Sequence, residues 1–160
     1  MAKPKLTATM PDGTIATRST DRDYTHVVAV EVQNAPRHAA AQNLVNVEQA
    51  HLDHYQGLLD GTIEPSEAEA QSASRWIDDE LVELTPETRW ADSADRASRR
   101  LAKAVKALAK TPATGTTWEA WSWHGRYDLA AKKVDEIRGA MGRGVYPAIV
   151  NVEIVEVGVD

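Results

Sequence analysis

Cysteine and phenylalanine are absent from this chain of 160 residues, and it has no long apolar run. Without cysteine there is no disulfide, no thiolate nucleophile and no Cys-ligated zinc. Without phenylalanine, large apolar volume has to come from Leu, Val, Ile and five tryptophans. No stretch of about 18 apolar residues occurs, which excludes a membrane-spanning helix. No apolar h-region follows the opening Met-Ala-Lys-Pro-Lys, so no secretory signal is expected. The default is a cytoplasmic protein, in the bacterial host's cytoplasm if a phage encodes it, without membrane association.

The net charge is −6, but its distribution is more informative than its sum. Residues 64–95 carry ten acids against two arginines, and residues 96–110 then carry six bases and no acid. Such a reversal within one helical region marks a candidate interaction surface.

The chain reads as one domain over 1–160, with a sheet formed by 5–32 and 117–157 and an inserted helical hairpin or arm over 36–110. Two threonine-rich runs flank Pro11-Asp12-Gly13, where Pro presets φ and Gly accepts φ > 0, which predicts a β-hairpin. Tyr24–Val32 is a β-branched, nearly continuous apolar strand, expected to be covered on both faces. Asn34-Ala-Pro36 opens a helix to about Leu59, whose positions Leu44, Val47, His51, Tyr55 and Leu58 form a heptad-like seam. A second helix is expected from Glu64-Pro65-Ser66-Glu67 to about Leu84, on the stripe Ala70, Ala73, Trp76, Ile77, Leu81 and Leu84. Thr85 with Pro86 after it offers a cap for a restart, and a third helix is expected from about Trp90 to Lys110.

The last part reads strand, helix, strand: Trp118–His124, residues 127–141 with Leu129, Ala130, Val134, Ile137 and Met141 inward, and a long strand from Tyr146. This resembles a βαβ crossover, which would set the two strands parallel. The expected class is therefore α+β: a small mixed sheet in the order β-β-β-[α-α-α]-β-α-β, with one packed helix and the inserted hairpin.

Trp118-Glu-Ala-Trp121-Ser-Trp123 is the most unusual stretch. Alternation puts Trp121 and Trp123 on one face with Glu119, and Trp118, Ala120, Ser122 and His124 on the other. Core filling in a chain without Phe explains it more simply than a ligand groove. His124-Gly125-Arg126 sits where a strand meets a helix N-terminus, with free N–H groups and a guanidinium able to clamp an anion. Asp128 in the first turn would offset part of that field and is most simply a cap. Arg22 and His26, beside Arg18 and Tyr24 at the hairpin end, would join this junction if the third strand neighbours the Trp strand.

Metal and catalytic signatures are missing. His51, Asp53 and His54 share a helix, but the zinc-protease pattern is absent, and His51 reads as a polar seam residue. No Gly-x-Ser-x-Gly and no phosphate loop occurs. No cofactor and no metal is expected, and the motifs lean against an enzyme. The second candidate surface is Arg96, Arg99, Arg100, Lys103, Lys106 and Lys110, one stripe spanning about 120° of helix and lying nearly opposite Leu101, Ala104, Val105 and Leu108.

Two blocks carry a family resemblance. Thr17-Arg18-Ser-Thr20-Asp-Arg22-Asp-Tyr24-Thr-His26 and Trp123-His-Gly-Arg-Tyr-Asp128-Leu-Ala130 resemble blocks in small uncharacterised proteins of actinobacteria and their phages. The likeness covers about the first 30 residues and 117–157, leaving out the helical insertion. It implies an actinobacterial or phage source and no particular activity. The expected function is that of a non-enzymatic interaction protein, a phage accessory factor binding a host component through the arm. Its partner would be a foreign protein or a second copy. The alternatives are nucleic-acid binding by the basic stripe and a small enzyme or anion-binding protein centred on His124 and Arg126.

Overall fold

A computed structural model describes residues 2–160. The chain divides into two compact units, Met1–Arg37 with Pro112–Asp160, and His38–Thr111.

The first unit is a five-stranded sheet with one helix. Its strands are β1 (Lys5–Thr9), β2 (Ile15–Ser19) and β3 (His26–Gln33), which leads into the long helix α1 (Asn34–Asp60). Two further strands, here β6 (Thr116–His124) and β7 (Ile149–Val159), flank helix α3 (Tyr127–Gly142). Between them in sequence lie β4 (Ala73–Ile77), β5 (Glu80–Leu84) and α2 (Pro86–Ala109) of the second unit. The sheet order is β2-β1-β7-β3-β6, and every neighbouring pair is antiparallel.

The expected mixed sheet is thus corrected. β6 and β7 do run parallel, as a crossover through α3 requires, but β3 lies between them and pairs with both. β3 is the most buried stretch of the chain, with Val27, Val28, Ala29 and Val30 fully enclosed. The Trp-bearing β6 is an edge strand of this sheet.

Val28, Val30 and Val32 meet Ala130, Val134 and Ile137 of α3 and Ile149 and Val152 of β7 on one face. Leu129, expected inward, is exposed. On the other face Val27 and Ala29 meet Ala8 and Met10, ringed by Ala16, Trp118, Trp123, Val155 and Val157. Both edge strands reach this second cluster, so the sheet curls toward a nearly closed barrel. Asp12 in the β1–β2 turn, where Gly13 has φ +88°, reflects the closure. Its carboxyl is held below the usual value first by Thr14 and, more weakly, by the backbone of Trp118 on the far edge.

In the second unit α1 and α2 are joined by a β-hairpin, β4–β5, where a second helix was expected. The start signal at Ser66 is real. Ser66 and Glu69 form a reciprocal capping box, Ser66 N–H to Glu69 Oε1 at 3.1 Å and Glu69 N–H to Ser66 Oγ at 3.3 Å. The box closes one turn and stops. Asp78 and Asp79 then take φ +47° and +64°, a two-residue reversal that sets Trp76 opposite Leu81 and Ile77 opposite Glu80. Apolar residues at 76–77 and 81–82 satisfy a strand period as well as a helical one, and Asp tolerates the left-handed region. Thr85 caps α2 through Thr88 N–H with Pro86 in its first turn, as expected.

Candidate functional site

Register sets the strand-to-helix junction. His26 lies directly opposite His124 across β3 and β6, and Thr25 N–H donates to the His124 carbonyl at 2.9 Å. Gly125 follows under the Asp23 carbonyl, where an added Cβ would sit 3.0 Å from that oxygen. Any larger residue would force the two segments apart by a few tenths of an ångström.

The expected neighbours therefore meet, but their side chains are already engaged. His124 Nε2 hydrogen bonds with Ser122 Oγ at 2.7 Å. Burial, and then the Lys133 ammonium, push the His124 imidazole below its usual value and so favour its neutral form. A cation beside the ring is the opposite of what a general base needs when it takes up a proton. His26 Nδ1 meets Thr25 Oγ1 at 2.8 Å, and its ring stands nearly perpendicular to that of Tyr127 with centroids 5.4 Å apart. Arg126 forms a fork with Asp128, Nε to Oδ1 at 2.9 Å and Nη2 to Oδ2 at 2.5 Å. That pair is the main reason the Asp128 carboxyl lies below its usual value. An incoming anion would have to displace Asp128. Arg18 stacks over Tyr24 at 4.9 Å, while Arg22 is exposed with its N–H on Thr20 Oγ1. Ser122, expected on the same face as His124, and Lys133, which sequence reasoning did not include, belong to this junction. Their spacing to His124 in sequence carries no motif.

A β-bulge redistributes the tryptophans. Val28 faces Ser122 and Ala29 faces Ala120, so Trp121 is the extra residue. Alternation breaks there. Trp118, Ala120 and Trp123 share the inner face of the curled sheet. Trp121 instead meets Tyr146 edge-on at 5.3 Å and lines a hollow with Lys133 and Glu136. The expected pairing of Trp121 with Trp123 on one face is thus corrected. On the same side as α3, His26 and Tyr127 line a shallow cavity of about 620 Å³ with Asp135, Arg138, Glu153 and Glu156. No group of three His, Asp or Glu suited to a metal ion occurs among the described residues.

The basic stripe lies in the second unit and divides in two. Arg99 pairs with Asp95 one turn back, and Lys106 and Lys110 face outward. Arg96 and Arg100 line a hollow with His51, Tyr55 and Ser93, and Arg100 and Lys103 line another with Leu44, Glu48, Ala104 and Ala107. Half of the stripe therefore borders the α1–α2 groove instead of standing opposite the apolar face.

The seam of α1 is also rotated from its expected position. Ala41, Val45, Glu48, Leu52, Tyr55 and Leu58 are the covered positions, while Leu44 is 49% and Val47 41% exposed and His51 is open to solvent. The buried polar seam residue is Glu48, not His51. Glu48 Oε2 has no hydrogen-bond partner, and His51 Nδ1, at 3.6 Å, is too far to supply one. Nothing in the sequence singles out Glu48, because Glu is normally a solvated helix residue. His54, by contrast, is tied to Glu69 at 2.7 Å.

No helix among the described residues is long and apolar enough to cross a membrane. Comparison of the chain with protein-family models, curated proteins and solved structures finds no match.

Proposed function

We propose that this is a non-catalytic interaction protein that docks a partner protein through its inserted helical unit, in the manner of a phage accessory factor acting on a host component in the bacterial cytoplasm. The phage or actinobacterial source rests on the two sequence blocks alone. One observation carries the docking reading. The second unit turns its large apolar side chains outward: Trp76 is 70% and Leu81 59% exposed, and Leu44, Val47 and Val105 are also open. Its buried apolar side chains are Leu58 and the small Ala97 and Ala104. Exposed aromatic and aliphatic clusters of this kind mark protein contacts.

Affinity capture from host lysate tests this, with Trp76→Ser/Leu81→Ser and Arg96→Glu/Arg99→Glu/Arg100→Glu/Lys103→Glu beside wild type. A protein retained by wild type and lost with the first variant is the expected result. Capture indifferent to the apolar pair would sink it.

Nucleic-acid binding is the second reading, favoured by Lys106 and Lys110 on the open side of α2 and by Arg96 and Lys103 exposed at the rim of its groove. The acidic net charge opposes it. A salt titration decides, since phosphate contacts give a steep negative slope of log K against log salt.

A further inference from the structure

The inserted unit carries both halves of a complementary contact. The tip of the β4–β5 hairpin joins the apolar Trp76, Ile77 and Leu81 to Asp78, Asp79 and Glu80. The α1–α2 groove joins an apolar floor, Leu44, Ala104 and Ala107, to a wall of Arg100 and Lys103. One surface is apolar and acidic, the other apolar and basic. The hairpin tip does not fill its own groove, because Trp76 is 70% exposed.

We propose that the occupant of each groove is the hairpin of a second copy of this chain, in a closed two-fold dimer. This rests on the reading of the inserted unit as a docking surface and commits it to one partner. In a two-fold pair every contact occurs twice, hairpin to groove and groove to hairpin, so a chain bearing both halves is self-complementary. Two features of the groove fit the hairpin tip. The floor of Leu44, Ala104 and Ala107 is apolar, as is the Trp76 indole. Arg100 and Lys103 oppose Asp78, Asp79 and Glu80 in sign.

The test is sedimentation velocity of the full chain over a rising concentration series at low and high salt. Wild type should show a monomer–dimer equilibrium that salt weakens. Asp78→Lys/Asp79→Lys/Glu80→Lys and Arg100→Glu/Lys103→Glu should each weaken self-association at least about tenfold, since like charges then meet. An equimolar mixture of the two variants should restore the dimer, because in the mixed pair both contacts are again of opposite sign. Trp76→Ser, at a position exposed in the single chain, should weaken the dimer with an unchanged melting temperature at concentrations where both proteins are monomeric. It keeps the test decisive if a charge variant fails to fold. A wild type that stays monomeric, a dimer indifferent to both charge reversals, a mixture that stays monomeric, or assembly beyond a dimer each overturns the proposal. A monomeric wild type that still captures a foreign protein through Trp76 and Leu81 overturns self-association alone. Loss of both sinks the docking reading as well.

Discussion

His26 and His124 stand opposite one another on β3 and β6, yet their rings answer to different neighbours, Thr25 and Tyr127 for one and Ser122 for the other. Backbone register brings two such residues together. Only the local packing decides whether they share a chemistry, and here each ring has its own polar contact.

The neutral state of His124 gives the first prediction. Its folded value lies below the ordinary histidine value of 6.5, so the unfolded chain binds more protons between the two. The associated stability is fully present above the unfolded value and is lost as pH falls through it toward the folded one. The melting temperature should therefore drop on acidification from about pH 7.5 to about pH 5.5, with a shallower drop in His124→Gln. By NMR, His124 should titrate below the usual histidine midpoint, and Lys133→Gln should move it part of the way back. A midpoint above 6.5 in wild type would contradict this.

Glu69 anchors the acid limb of the inserted unit. The His54 imidazole, followed by the backbone and hydroxyl of Ser66, lowers its carboxyl from 4.5 to about 2. Here the stability is present above the unfolded value and disappears as pH falls from there toward about 2. Glu69→Gln should flatten this acid transition in helical circular dichroism. It should also speed amide exchange at Ala70, which closes the capped turn on Ser66.

Asn34 is 4% exposed at the point where β3 becomes α1. Its Nδ2 donates to the Thr114 carbonyl at 3.1 Å, and its Oδ1 accepts from Thr117 Oγ1 at 2.8 Å. Asn34→Ala should destabilise the protein by about 1–3 kcal/mol in denaturant unfolding, by leaving partly buried groups unpaired. Arg37→Ala, which breaks the more exposed fork to Glu119, should cost less than about 1 kcal/mol.

The tryptophans of β6 should separate in the same assay. Trp123→Ala removes part of the inner cluster and should cost about 3 kcal/mol. Trp121→Ala, at a half-open bulge position, should cost about 1 kcal/mol. Equal losses would mean that the bulge does not separate their environments.

Elements with a strong local signal are legible in the amino-acid sequence alone. The Pro-Asp-Gly hairpin, the Thr85–Pro86 start of α2 and the helix at 127–142 are set by turn chemistry, capping and periodicity acting within a few residues. The hairpin at 73–84 is not legible there, because its apolar spacing fits either period and Asp78-Asp79 lacks the usual glycine. Of the candidate sites, the meeting of His26 and His124 follows from strand adjacency. The Arg126–Asp128 fork, the Ser122 contact and the buried Glu48 do not, since each depends on rotamers and on which helix flank a neighbour covers.

The sequence by itself determined where most elements begin and end and the sign reversal at residues 95–96, whereas the core is filled by Val, Ala, Leu, Ile and Met and no tryptophan is fully buried. Tertiary structure decided that β3 separates β6 from β7, that a bulge turns Trp121 away from Trp123, and that α1 packs through Glu48 instead of His51. The physical reason is range. Propensity, caps and charge act along the chain, whereas strand order, bulge position and helix rotation follow from which apolar faces can be covered together.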